Sequence, residues 1–411
     1  MMETTQSSRK RMRQARVGAS VFSLSTVIAI VALVLLIWSV VNKSFGYIAV
    51  RQKVDPTTLA AGKPLEELSK DELIAIFKKG VTSGVFRRFE SEKPFDQRTQ
   101  ADVLALVNER VVGREVLGSW TLSESLFNKN AIEAEVKAST AKDAKKWAGT
   151  TLQWKSWVTS SFLSNVGGSD PAVAGIRVAL LGSLWVVALT MLLAVPIGVG
   201  AAIYLEEYAN PTNRVNQLIE TNINNLAGVP SIIYGMLGLT LFVRALEPVT
   251  SGAIFGIQGN NGRTILSAAL TMALLVLPLI IINAREAIRS VPNSLRQASY
   301  GLGATKWETI RDHVLPNAIP GILTGTILSL SRAIGETAPL IVVGASTFIV
   351  SDPTGPFSKF TALPIQIYDW TQRPIEQFRN IASAAIIVLL ILLIALNLSA
   401  VLLRNRYSKK S

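Results

Sequence analysis

Across the 411 residues of this chain, 49% are apolar, and they gather into long blocks instead of alternating with polar residues, which excludes an ordinary water-soluble globule. The formal charge of +13 is concentrated at the mouths of those blocks, a distribution that argues against nucleic-acid binding. With no Cys, disulfides and thiolate metal sites are excluded.

Crossing roughly 30 Å of hydrocarbon at about 1.5 Å per residue takes about 20 mostly apolar residues. Residues 1–16 form a basic tail with Arg9, Lys10, Arg11, Arg13 and Arg16. Val17–Val41 is the first predicted span, and no small-residue cleavage pattern follows it, so it reads as a retained anchor and not a signal peptide. Residues 42–172 are polar and nearly balanced in charge, which predicts a water-soluble extracytoplasmic insert. Within it, Ser69-Lys70-Asp71-Glu72 has capping-box spacing ahead of Leu73, Ile76 and Phe77 at helical intervals, and Asp102 to Arg110 repeats the pattern. The insert is expected to be mainly helical. A solvated spacer and a docking surface for a partner both fit it.

Residues 173–403 carry five further predicted spans, at 178–204, 226–243, 264–283, 319–350 and 381–403. Six spans put both termini on one side. Arg404, Arg406, Lys409 and Lys410 in the 404–411 tail match the basic residues before the first span, which assigns that side to the cytoplasm. The same count places the loop 285–318 in the cytoplasm. The expected fold is an all-α integral membrane protein with six transmembrane helices. Gly182, Gly198 and Gly200 in the second span read as sites of close helix packing.

The loop holds the first informative pattern. Ser294 to Tyr300 can form one short helix, Gly301 and Gly303 permit a sharp turn, and Thr305 to Glu308 has capping-box spacing. Trp307, Ile310 and Val314 then line one face of a second helix. Two helices meeting at glycine make a lever, although an amphipathic loop lying on lipid headgroups has the same periodicity.

The second pattern is a pair of charges, Arg332 and Glu336, inside an apolar segment, where each costs about 2.5–3.5 kcal/mol on insertion scales. Spaced i and i+4, about 6 Å apart along a helix, they can pair. A purely structural ion pair is one reading. The other is an anion path, in which the guanidinium offers forked donors to oxyanions and the carboxylate keeps binding weak. Gly335 and Pro339 flank Glu336, so a bend or unwinding is expected there. Asn222, Asn224 and Asn225 at the start of the third predicted span can cap that helix or line the inner mouth. No Gly-rich phosphate cradle with Lys and Ser/Thr occurs, so ATP hydrolysis is not expected of this chain. His313 stands alone, without metal-ligand spacing.

Gln297-Ala298-Ser299, Gly303 and Leu315-Pro316 resemble the E-A-A, G and L-P pattern of the EAA loop in ABC-importer permeases, with Gln297 and His313 standing where the family usually has Glu and Ile. Arg332-Ala333-Ile334-Gly335-Glu336-Thr337-Ala338-Pro339 resembles the R-A-x-G-E-T-A-P signature of PstA-type permeases of bacterial phosphate importers. Ala202 to Tyr208 and Asn225 to Ile232 match the same family, and the resemblance covers about Gly175 to Leu403. It implies a type I ABC importer permease fold in the bacterial inner membrane, translocating phosphate by alternating access. Implied partners are a PstC-type permease, a PstB-type ATPase dimer and a PstS-type phosphate-binding protein, with ATP and Mg held by the ATPase and no cofactor on this chain. The resemblance assigns Arg332, Glu336, Thr337 and Asn225 to the path, with Arg285 a further candidate at the exit. It assigns Gln297, Ala298, Gly303, Trp307, Leu315 and Pro316 to coupling with the ATPase. A sulfate or molybdate permease and a membrane-anchored sensor that uses the insert are the competing readings.

Overall fold

The computed structural model describes residues 3–408 except 53, 55–58, 60–63, 148, 169, 211, 258–260, 347, 348 and 350. Lys409 and Lys410, counted above among the basic terminal residues, lie outside the described residues. The chain divides into two units: residues 1–157 with 379–384, and residues 158–378 with 385–411.

In the first unit, α1 (Glu3–Ser44) is an unbroken helix of 42 residues. Its apolar stretch from Val17 to Trp38 stays exposed along its length, as lipid-facing surface does. It runs directly into β1 (Phe45–Gln52). β1 is the central strand of a three-stranded antiparallel sheet, flanked by β2 (Arg114–Ser119) and β3 (Thr151–Ser156). The expectation of a mainly helical insert missed this sheet. Its strands are six to eight residues long, and their partners lie far away in sequence, so local periodicity carries little sign of the pairing.

The helical part of the insert follows its local signals. In α2 (Lys70–Gly80) the Ser69–Glu72 capping box is formed in both directions, and in α3 (Gln100–Val107) Thr99 and Asp102 form another. The backbone amide and hydroxyl of Thr99 hold the Asp102 carboxyl below the usual carboxylate range. Leu73 and Phe77 of α2 and Val103 and Val107 of α3 join Leu65, Leu68 and Phe95 in one buried cluster. Two further helices, α4 (Leu122–Phe127) and α5 (Lys129–Lys142), lie between β2 and β3.

The second unit is helical. α6 (Arg177–Ile203) ends in a π-helical turn over Tyr204–Tyr208. α7 (Arg214–Ala227) and α8 (Ser231–Gly238) follow, and α8 continues in a second π-helical stretch, Leu239–Ala245. α9 (Ile265–Arg289) is the centre of the unit, packed between α6 and α11 (Lys306–Gly335). Between them in sequence comes α10 (Asn293–Gly301), and after α11 come α12 (Ala338–Val343), α13 (Leu363–Gln372) and α14 (Glu376–Ser408). Met272, Leu275, Val276 and Ile280 of α9 anchor a buried cluster with Val186, Tyr234, Ala333 and Leu340.

Among the described residues, α1, α6, α9, α11 and α14 are long and apolar enough to cross a membrane, and α7 with the α8 segment, bent by 105°, adds up to a sixth span. Two expected boundaries move. The third apolar helix starts at Ser231 and not at Leu226, because Pro230, itself at ψ 135°, disfavours helical backbone at the residue before it and so separates α8 from α7. The segment 319–350 is not one helix. α11 stops at Gly335 and α12 begins at Ala338, where Pro339 has no amide to donate and its ring clashes with the carbonyl four residues back.

Glycine permits the close packing in two of the three places where it is expected. A Cβ on Gly182 would overlap the Thr361 carbonyl oxygen, and one on Gly198 would come within 2.6 Å of Ile280 Cγ2. Gly200 faces open space. α14 is fastened to α11 by Ser331 Oγ, which hydrogen-bonds Asn397 Oδ1 at 2.8 Å, and by Arg404, which donates to Thr324 Oγ1 at 3.3 Å.

Candidate functional site

The loop after α9 is a rigid elbow. α10 runs through Gly301, which stays helical, and only Gly303 takes the left-handed conformation, with φ +84°. A side chain there would meet nothing, so the demand for glycine comes from the backbone alone. The Thr305–Glu308 capping box starts the second arm, and the buried hydroxyls of Ser299 and Thr309, 2.8 Å apart, tie the two arms together. Gly303→Ala is expected to cost about 1–2 kcal/mol. Hydrogen exchange over residues 293–314 should accelerate, and Gly303→Asn should recover part of the protection.

Three consecutive residues after α6 clasp the end of α9 and the elbow that follows it, a role that no motif assigns to them. The π-helical turn over Tyr204–Tyr208 presents Glu206, Glu207 and Tyr208 in succession. Glu206 receives Arg289 through two hydrogen bonds of 3.0 and 3.1 Å and Arg285 at 3.5 Å. Glu207 receives Arg296 at 2.7 and 3.1 Å, and the Lys306 ammonium lies 5.0 Å from the centre of the Tyr208 ring. The Arg296–Glu207 pair is the most enclosed, with side chains 14% and 7% exposed. Arg296 also donates to the carbonyls of Val291 and Ile288. A signal was present in the sequence: two carboxylates directly after an apolar span, and three arginines in the loop that returns to it.

The sequence-predicted coupling residues divide by face. Gln297 and Ala298 are exposed on α10. Trp307 does not share a buried face with Ile310 and Val314. It is 56% exposed while they are buried, and Thr309 is buried with them, so the packed side of that arm is centred between Thr309 and Ile310 and Trp307 stands at its edge. Leu302, 90% exposed, and Tyr300 extend the same open apolar surface. Leu315 packs against a cluster of Ala202, Ala284, Ala287, Ile288, Val314 and Ala318, and Pro316 lies in the turn that follows, half-buried. One side of the elbow is therefore locked to α6 and α9, and the other is open, with Leu302 and Trp307 exposed along with polar Gln297 and Glu308.

At the far end of α11, Arg332 Nε donates to Glu336 Oε1 at 3.2 Å, with side chains 38% and 20% exposed. The helix breaks immediately afterwards, with Glu336 in extended backbone and Thr337 preceding α12. α8 closes over this break. A Cβ on Gly235 would lie 2.7 Å from Pro339 Cα and 3.1 Å from Val342 Cβ. The Tyr234 hydroxyl donates to the Leu226 carbonyl at 2.7 Å. Arg332, Glu336 and Thr337 thus stand together at the break, whereas Asn225 stands on α7, before the bend into α8.

The three asparagines are not caps of the third apolar helix. They stand on α7, on the other side of the bend; Asn222 bonds back to the Leu218 carbonyl, and the position before α8 is Pro230. Arg285, the further candidate, is held between carboxylates, 2.9 Å from Glu220 and 3.5 Å from Glu206. Among the described residues no group of three or more His, Asp or Glu side chains is arranged to hold a metal.

Several apolar membrane-crossing helices, a clasped elbow and a charged pair at a broken helix define a multi-pass membrane transport subunit. The chain belongs to the binding-protein-dependent transport system inner membrane component family, which matches residues 194–410. It is 33% identical over 267 residues to the probable ABC transporter permease protein YqgI of Bacillus subtilis, covering 62% of this chain and 86% of that one. It is 36% identical over 263 residues to the phosphate transport system permease protein PstA 1 of Mycobacterium tuberculosis, covering 64% and 79%. Against the phosphate transport system permease protein PstA of Yersinia pestis the identity is 31% over 235 residues, covering 56% and 72%.

Proposed function

We propose that this chain is a permease subunit of an ATP-driven importer that passes inorganic phosphate across the bacterial inner membrane by alternating access. The observation that carries the reading is the Arg332–Glu336 pair at the break between α11 and α12, taken with relatives named as phosphate transport permeases. Arg332 supplies a planar fork of donors that matches two phosphate oxygens. Glu336, already bonded to Arg332, competes with the anion for that fork and keeps its residence short.

A PstC-type subunit completes the pathway, a PstS-type protein delivers phosphate, and a PstB-type ATPase dimer holds ATP and Mg. The ATPase docks on the open face of the elbow, where Gln297, Ala298, Leu302 and Trp307 are exposed. Closure of the ATPase dimer pushes Gly303 and the two arms, and the push enters α6 and α9 through the Glu206 and Glu207 clasp and the Leu315 cluster. Both termini and the elbow lie on the cytoplasmic side, and residues 42–172 on the other.

Arg332→Ala is expected to abolish most phosphate uptake in vesicles that contain all the subunits. Arg332→Lys, which keeps the charge and loses the fork, should be intermediate. Normal uptake by the alanine variant would remove Arg332 from the path.

A further inference from the structure

We infer that the corner between α4 and α5 is seated in the lipid interface beside the end of α1, so that the insert is held to the bilayer at a second point. α4 is fixed to the place where α1 becomes β1. The Ser123 amide donates to Asn42 Oδ1 at 2.7 Å, and the Tyr47 amide donates to Ser125 Oγ at 2.8 Å, with Ser125 fully enclosed. A helix of six residues is only about 9 Å long, so Leu126 and Phe127 stand within about 10 Å of the end of the first span. They are consecutive, large, apolar and open, Phe127 at 82% exposure and Leu126 at 61%.

Two of the surrounding groups suit a lipid surface. Lys43 in the last turn of α1 is exposed, and the Lys129 ammonium is more than half exposed, held loosely at 3.9 Å from Glu133. Aromatic and aliphatic side chains at the edge of the hydrocarbon, with ammonium groups reaching the phosphate layer, are the composition of an interfacial anchor. The occupant is lipid and not a protein because the corner is tethered at Asn42, one helical turn after Trp38, where the exposed apolar surface of α1 ends, Trp38 itself being 50% exposed. Phe127 thereby prolongs the lipid-facing strip of the first span around the corner into the insert.

The chain has no Cys, so single labels test the inference directly. Phe127→Cys, Leu126→Cys and Lys142→Cys, the last at the exposed far end of α5, are each nitroxide-labelled in the full chain. The labelled chains are reconstituted alone and with the other subunits in vesicles of phosphatidylethanolamine and phosphatidylglycerol. Collision rates with oxygen, which concentrates in lipid, and with a water-soluble nickel complex are then compared. The expected result is an oxygen-to-nickel ratio several-fold higher at positions 126 and 127 than at 142, with or without the other subunits. Equal ratios at all three positions would overturn the inference in favour of a solvated corner. Suppression of both collision rates at 126 and 127 only when the other subunits are present would overturn it in favour of a protein interface.

Discussion

Glu207→Ala is expected to loosen the whole elbow and to cost about 3–5 kcal/mol, because it leaves the enclosed Arg296 guanidinium without its counter-charge. Two backbone carbonyls still accept from Arg296, but neither neutralises it. The arginine must then either drag water inward or swing out and carry α10 with it. Hydrogen exchange over residues 293–314 should rise sharply while exchange in α14 does not change. In vesicles, ATP hydrolysis should continue with little uptake. Glu207→Gln, which keeps an acceptor and loses the charge, should fall between. Unchanged exchange in both variants would show that the clasp does not hold the elbow.

The second large effect is expected at Gly235. Any side chain there runs into the backbone of Pro339 and the Cβ of Val342, and backbone cannot yield as a flexible side chain does. Gly235→Val should therefore push α12 away from α8. Overpacking of this kind costs about 1–3 kcal/mol. Its functional reach is larger than its energy, since the displaced helix begins two residues after Glu336. Uptake should be lost while exchange at the elbow stays at the parental rate, which separates this variant from Glu207→Ala, where elbow exchange rises as well. Gly200→Ala on α6, where a Cβ meets nothing, should be tolerated and serves as the control. Parental uptake by Gly235→Val would detach the α8 contact from the pathway.

What is legible in the sequence follows the range over which each signal acts. The Ser69–Glu72 and Thr305–Glu308 caps involve residues three apart, so their spacing alone specifies the geometry that forms. The Arg332–Glu336 pair is readable for the same reason, because one helical turn fixes both partners. The break after Gly335 is anticipated as a bend or unwinding, but the predicted span still runs through it to residue 350, since the apolar run continues past it. The sheet of the insert is missed because β1 pairs with strands more than 60 and about 100 residues further on. The clasp needs α6 and the elbow to meet, which depends on α9 folding between them. The exposure of Trp307 depends on which side of its arm packs inward, and that side is centred between Thr309 and Ile310. The spacing of Trp307, Ile310 and Val314 does not show which side of the arm meets α6 and α9.

Uptake of radiolabelled phosphate against radiolabelled sulfate is the most direct test of the substrate and of the transport role together. The full set of subunits is reconstituted in vesicles with ATP supplied to the ATPase side. The account predicts ATP-dependent accumulation of phosphate, little of sulfate, and loss of the phosphate signal when Arg332→Ala replaces the parental chain. Accumulation of sulfate without phosphate, or phosphate accumulation that survives Arg332→Ala, would contradict it.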